Sequence, residues 1–364
     1  MKTSTVLLPT LAAFARASPL MARQDIDFDL VDSAPDPSSV SIPVGPTAEV
    51  VTYNLAAATA AATATPLPVE AVEKRGLAAR SACDPQPTGS GPTPSPDTDT
   101  AFLEFADLSS AASNAPVPAG YKVTFADLHA SSSAYGYLGY TTLTSYDTEA
   151  CATQCNSITG CLGYNIFFER DPSVEPGAGC SNPPSTTVIK CVFWGGYVEA
   201  ANTKNEGQWR GDFHVVIAGS NGYMKTAIPA VPGFNGVSLG DRSINAPDNC
   251  NGENTYVGSK IFTTSIFDPN LCAAACSSQN EYNTAHPPAN GEPKICKFFT
   301  TYLMAKNGNP EGQYCVLYTQ HWDISYATND GQWRGDDHYT VGYAFSYTNS
   351  EDSGAPVCAV QSVI

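Results

Sequence analysis

Basic side chains are scarce in this sequence of 364 residues. It has 18 Lys and Arg against 35 Asp and Glu, which gives a net charge of −17. A chain this acidic repels phosphate backbones and anionic lipid surfaces, so nucleic acid is excluded as a partner. Apolar runs are short as well, and none approaches the roughly 18 residues of a membrane span. We therefore expect no membrane span.

Catalytic signatures are also missing. The sequence has only 5 His and lacks Gly-x-Ser-x-Gly, His-Glu-x-x-His and phosphate-loop motifs. Asp336-Asp337-His338 offers metal ligands, but the corresponding Asp212-Phe213-His214 lacks the middle carboxylate. We therefore expect neither an enzyme nor a cofactor or metal, and a secreted hydrolase is disfavoured.

The N-terminal region is typical of an exported protein. Residues 1–17 have the charged start, apolar centre and small-x-small end of a signal peptide. Residues 18–80 are rich in Ala, Thr and Pro and predict a disordered leader. Lys74-Arg75 is either the processing site of a pro-segment or a solvated charge pair. A linker follows over 81–120, and the protein is expected to be secreted and extracellular.

An internal repeat organises the rest of the chain. Residues 207–214, Gly-Gln-Trp-Arg-Gly-Asp-Phe-His, recur at 331–338 with one change, Phe213 to Asp337. The repeat predicts two modules, residues 121–235 and 236–364. Each is expected to run strand, helix, strand, strand. Asp147 and Asp268 are the predicted helix N-caps, with Pro269 at the first helical position.

Twelve cysteines in an exported chain predict six disulfides. By position we pair Cys151 with Cys191, Cys155 with Cys161, Cys272 with Cys315, Cys276 with Cys296 and Cys250 with Cys358, which leaves Cys83 with Cys180. A zinc site at the Cys-x3-Cys pairs is the alternative.

These cysteines resemble those of the PAN/Apple domain, a helix with Cys-x3-Cys fastened by two bridges to a small antiparallel sheet. Residues 250–358 match its six-cysteine form, whereas the first copy departs from it by carrying Cys180 inside a loop. Residues 167–173 and 191–196 also look like segments of tandem-module secreted proteins of filamentous fungi. The resemblance implies an α+β fold of two tandem, small, disulfide-stapled modules, each an antiparallel sheet packed on one helix, after the disordered leader. It also implies binding of proteins or carbohydrates without catalysis.

Two interpretations of the repeated segment stay open. Trp209 and Trp333 either fill the module cores, with Arg and Asp paired beside them, or offer flat faces to sugar rings. We place the Arg-Gly-Asp tripeptides in strands, not at exposed loop tips. The ligand-binding candidates are Trp194, Tyr197, Trp209, Arg210, Asp212, His214, Trp322, Trp333, Arg334, Asp336 and His338.

The sequence therefore predicts a secreted, non-enzymatic binding protein that recognises cell-wall or plant polysaccharide. The alternative is an extracellular protein–protein interaction or a structural component of a wall or matrix. The oligomeric state stays open.

Overall fold

A computed structural model describes residues 26–37, 42–45, 47–63, 81–289 and 291–355. Over these stretches the chain is a mixed α+β protein, built mostly from antiparallel sheets and cross-linked by five disulfides. The predicted signal peptide, the Lys74-Arg75 pair and Cys358 lie outside the described residues. In the part of the chain that is described, no helix combines the length and the apolar character that crossing a membrane requires.

The described α-helices are α1 (Phe28–Ser33), α2 (Leu55–Thr63), α3 (Asp99–Leu103), α4 (Ala106–Ser113), α5 (Thr148–Ser157) and α6 (Pro269–Ala285), and two short 3-10 helices lie at Ala200–Asn202 and Ile324–Tyr326. The strands of the first half are β1 (Glu49–Val50), β2 (Tyr121–Leu128), β3 (Ser131–Ser132), β4 (Tyr137–Leu143), β5 (Gly163–Pro172), β6 (Ser185–Trp194), β7 (Thr203–Asn205), β8 (Gly207–Arg210) and β9 (Phe213–Lys225). Those of the second half are β10 (Phe234–Gly240), β11 (Ser243–Ile244), β12 (Tyr256–Phe262), β13 (Phe298–Lys306), β14 (Asn309–Tyr318), β15 (Ala327–Asn329), β16 (Gly331–Arg334) and β17 (Asp337–Asn349).

Two large sheets share one strand order. The first runs β1-β4-β6-β5-β9-β2, with β8 paired to β9. The second runs β12-β14-β13-β17-β10, with β16 paired to β17. Without β1, each strand of one sheet has a counterpart at the same place in the other. The small pairs β3-β7 and β11-β15 match in the same way. The division of the chain into two modules, with its boundaries, stays a prediction.

Both cysteine-bearing helices begin where the capping residues predict. An Asp147 carboxylate oxygen accepts a hydrogen bond from the Ala150 N–H at 2.9 Å and starts α5. Asp268 accepts one from the Asn270 N–H at 2.9 Å and starts α6, where Pro269 takes the first position. The strands expected after each helix are confirmed as β5, β6, β13 and β14.

Disulfides fasten each helix to its sheet. The pairs Cys151–Cys191, Cys155–Cys161, Cys272–Cys315, Cys276–Cys296 and Cys83–Cys180 are present as predicted. The zinc alternative is wrong for the Cys-x3-Cys pairs because all four of those sulfurs are bonded to cysteines. The predicted Cys250–Cys358 pair includes a residue outside the described part of the chain.

The two sheets share an apolar core. One buried cluster contains Trp194 from the first half and Phe267 from the second. The Phe267 N–H donates to the Gly195 carbonyl at 2.7 Å, and the Tyr135 hydroxyl donates to the Phe262 carbonyl at 2.7 Å. The halves therefore pack against each other through buried contacts.

The described parts of the leader are folded, which corrects the expectation of disorder there. The Ala-rich stretch forms α2, as the high helix propensity of Ala favours, and Asn54 accepts a hydrogen bond from the Ala57 N–H at its start. The Lys260 ammonium donates to the Ala62 carbonyl at 2.8 Å and joins this helix to the second sheet. The predicted linker also folds, since Phe102 and Leu108 of α3 and α4 are buried in the core of the first half.

Candidate functional site

The repeated segment forms a β-hairpin in each half. In the first, β8 and β9 pair Arg210 with Phe213, so that Gly211 and Asp212 make a two-residue turn. Gly211 has φ +63° and its counterpart Gly335 has φ +60°. A turn whose first residue has positive φ matches the twist of the flanking strands and favours glycine there. The conformation of the turn explains why this glycine stands in both copies.

Each hairpin presents a tryptophan stacked on a histidine. Trp209 lies opposite His214, with ring centroids 4.1 Å apart and 2° between the planes. Trp333 lies opposite His338, with centroids 4.4 Å apart and planes 11° apart. The two tryptophans are 64% and 66% exposed. The core interpretation of this segment is therefore wrong. Since histidine covers one indole face, the opposite face is turned to solvent.

Each hairpin is joined through its arginine to another part of the chain, the first to the loop after β5 and the second to α1 of the leader. Alternation along the strand places Gln208 and Arg210 on the face opposite Trp209. Arg210 forms an ion pair with Glu175. Arg334 donates two hydrogen bonds of 2.7 Å to the Asp32 carboxylate. These arginines therefore anchor the hairpins.

The Arg-Gly-Asp tripeptides lie at hairpin tips, which corrects the expectation that they sit within strands. Gly211 and Asp212 form one turn, and Gly335 and Asp336 form the other. Both aspartates are exposed. The expectation was wrong because a two-residue turn hardly changes the strand-like sequence pattern on either side of it. The pattern therefore did not reveal the turn.

His214 is fixed from a second side. Its Nδ1 lies 2.7 Å from an Asp99 carboxylate oxygen. The hydrogen bond from His214 lowers the pKa of Asp99 below its usual value. The carboxylate therefore holds the ring in the orientation that stacks on Trp209.

Three other predicted candidates lie away from the hairpin surface. Trp194 is 1% exposed in the shared core. Trp322 is buried too, and its indole N–H donates to the Thr255 hydroxyl at 3.0 Å. Tyr197 is half-buried and stacks on Tyr343 with centroids 5.3 Å apart. Trp194 and Trp322 are thus core residues with no open ring face, a correction to their selection as ligand-binding candidates.

Sequence reasoning missed a buried charged cluster in the first sheet. Lys190 on β6 forms an ion pair with Glu169 on β5, and both are buried. Although burial opposes it, the charge of Glu169 raises the pKa of Lys190. Burial and the neighbouring Glu169 raise the pKa of Asp171 well above its usual value. The sequence signal for this cluster was the run Glu169-Arg170-Asp171 directly after Phe167 and Phe168. Charged side chains are not expected within such an aromatic strand unless they are paired.

A cavity of about 250 Å³ adjoins this cluster and the first hairpin. Ser132, Ser133, Glu169, Asn205 and Gln208 supply its polar wall. Ile42 and Val44 of the leader close the other side. The cavity therefore lies between a leader segment and the face of the hairpin that carries Gln208 and Arg210, opposite Trp209. We call this the inner face of the hairpin.

The described residues contain no group of three or more His, Cys, Asp or Glu side chains arranged to hold a metal ion. Comparison with known proteins gives no further assignment, because no protein-family model, curated protein or solved structure matches the chain. The site is therefore defined by its geometry, as two exposed Trp–His pairs on equivalent hairpins.

Proposed function

We propose that this protein is a secreted, non-enzymatic binding protein of PAN/Apple-like modules that recognises polysaccharide through its two Trp–His pairs. The observation that carries the proposal is the exposure of Trp209 and Trp333, each with one face stacked on histidine. Five disulfides are compatible with the oxidising environment of secreted proteins.

The chemistry of the hairpin suits a sugar ring. A flat indole face packs against the C–H face of a pyranose, and nearby polar groups accept its hydroxyl hydrogens. Asp212 and Asp336, exposed at the tips, supply such acceptors. Fixed rings lose little conformational freedom on binding. The stacked histidines therefore favour affinity by holding the tryptophans in one orientation.

Two equivalent hairpins in one chain also suit a repetitive ligand. A second weak contact in the same complex raises overall affinity through its effective concentration. A polysaccharide with many identical units allows such bivalent binding wherever its spacing permits. Loss of one tryptophan is therefore expected to weaken binding more than twofold.

The experiment is co-sedimentation of the secreted protein with chitin, glucan, cellulose and pectin, together with a glycan array. We expect retention on at least one polymer, with at least a tenfold loss in Trp209→Ala/Trp333→Ala. Tyr282→Ala is the matched control because Tyr282 is an exposed ring stacked on His286, 4.4 Å away, but on α6. No retention on any polymer, or equal losses in both variants, contradicts the proposal.

The protein–protein alternative is favoured by a different observation. A leader segment already lies along the edge of the first sheet as an added strand, β1. Sheet edges bind peptides in this way.

A further inference from the structure

We propose that each sheet carries a peptide-binding groove beside its repeated hairpin, and that two leader stretches fill these grooves within the same chain. The ligand class is an extended peptide with one aliphatic anchor residue. The proposal does not rest on polysaccharide recognition, because the grooves use the inner hairpin face and Trp209 and Trp333 lie on the outer one.

The first groove holds residues 42–45. Ile42 is buried and shares the cavity wall with Gln208 of the hairpin. The Lys190 ammonium donates to the Pro43 carbonyl at 2.7 Å. The Gly45 N–H donates to a Glu169 carboxylate oxygen at 3.4 Å. Two buried charged groups therefore bind main-chain atoms of the leader, while its isoleucine is enclosed.

The same stretch continues as a strand on the sheet edge. Glu49 and Val50 of β1 pair antiparallel with Tyr140 and Gly139 of β4. Gly139 has φ +95°, and a side chain there would collide with the Glu49 carbonyl. The glycine lets the leader backbone approach, so this edge accepts an added strand.

The second groove holds residues 26 and 27 at the equivalent place. Ile26 is buried, and its N–H donates to the Gln332 side-chain carbonyl at 3.0 Å. The Asp27 N–H donates to the Tyr314 hydroxyl at 3.1 Å. Gln332 is the repeat counterpart of Gln208.

Tyr314 in turn is the counterpart of Lys190, since each directly precedes a bridged cysteine on the matching strand. Two equivalent positions in each sheet therefore face a leader isoleucine and the main chain beside it. They are Gln208 and Lys190 in the first sheet and Gln332 and Tyr314 in the second. Repetition of the arrangement in both sheets is not expected of a fortuitous contact.

The first groove is incompletely filled by its leader segment. A cavity of about 250 Å³ remains between Ile42, Val44 and the hairpin. Main-chain hydrogen bonds supply affinity for any extended peptide, and the isoleucine pocket supplies selectivity. A peptide with an aliphatic residue in the same position therefore competes with the leader.

The test uses the full chain and a fluorescently labelled synthetic peptide of residues 40–53. In the intact chain the tethered segment competes at high effective concentration, so we expect weak binding. Ile42→Asp in the chain places a charge in the pocket and releases its own segment. We expect this variant to bind the labelled peptide at least tenfold more tightly than the intact chain, measured by fluorescence anisotropy.

Thr52→Asp is the matched chain control, because Thr52 is an exposed residue of the same leader outside β1 and its change leaves the pocket filled. The same peptide with Ile42→Asp is the ligand control and should not bind. Equal binding to the intact and Ile42→Asp chains, or equal binding of both peptides, overturns the proposal.

A second measurement covers the case in which Ile42→Asp fails to fold. Excess unlabelled peptide added to the intact chain should displace the tethered segment and raise amide hydrogen exchange at residues 47–51. Unchanged exchange at millimolar peptide contradicts the groove.

Discussion

Arg334 donates to both carboxylate oxygens of Asp32, at 2.7 Å each, although 302 residues separate them in the sequence. Asp32 lies on α1 of the leader, and Arg334 ends the first strand of the second hairpin. The Arg334 guanidinium also lies over the Phe28 ring of the same helix, 4.7 Å from its centroid. The hairpin that presents Trp333 outward is therefore joined to the leader on its inner side.

The Asp32–Arg334 pair predicts that docking of α1 depends on pH. The hydrogen bond and charge of Arg334 lower the pKa of Asp32 below its ordinary value of 3.8. A lowered folded-state pKa means that the stabilisation is fully present above pH 3.8 and is lost as pH falls through the folded value. We expect amide exchange at residues 28–33 to be unaffected by this pair between pH 7 and 5, after correction for intrinsic rates, and to rise below pH 3.8.

Asp32→Asn removes the titrating group, so this variant should show faster exchange at residues 28–33 already at pH 7. Asp29→Asn changes an exposed aspartate of the same helix that has no such arginine contact in the described structure, and it serves as the control. Equal exchange in the two variants at pH 7 would show that the ion pair does not hold the helix.

Tryptophan position predicts two classes of stability effect. Trp209→Ala and Trp333→Ala should each change the free energy of unfolding by about 0.5 kcal/mol or less, because both side chains are largely exposed. Trp194→Ala should cost about 3 to 5 kcal/mol, because it opens a cavity in the shared core. Denaturant unfolding measures all three. A large loss of unfolding free energy in Trp209→Ala or Trp333→Ala would show that these side chains stabilise the fold as core residues do.

The Lys190–Glu169 pair predicts strong coupling between two substitutions. Lys190→Tyr alone leaves Glu169 buried without its cation and should cost about 3 to 5 kcal/mol. Lys190→Tyr/Glu169→Met introduces the residues of the second sheet, where Tyr314 and Met304 stand at the matching positions. We expect the double variant to recover most of that loss in denaturant unfolding. Additive losses would show that the two side chains do not act as a pair.

Local signals in the sequence predicted much of the framework. Asp147 and Asp268 cap helices through contacts within one turn, and Pro269 fits the first turn for the same local reason. Helical periodicity places both thiols of a Cys-x3-Cys pair on one face, and four of the observed bridges were predicted from such pairs. Cys83–Cys180 was predicted only as the pair that remained. Helix caps and the facing of cysteines on one helix can be predicted from neighbouring residues alone.

The exposure of Trp209 was one of two open interpretations, whereas the docking of the leader onto distant parts of the chain was not predicted. Trp209 is exposed because a tight turn pairs it with His214, and a bulky aromatic in a strand more often indicates a core position. The leader has no periodic apolar face. It docks through single anchors such as Ile26 and Ile42, whose partners lie far along the chain.

The most direct test of polysaccharide recognition follows the indole N–H signals of all four tryptophans in nitrogen-15-labelled protein. The titrant is a soluble oligosaccharide of the polymer that co-sediments. We expect the signals of Trp209 and Trp333 to shift in proportion to saturation, while those of buried Trp194 and Trp322 stay in place as internal controls. Retention of the protein by the polymer with unmoved Trp209 and Trp333 signals would contradict the account.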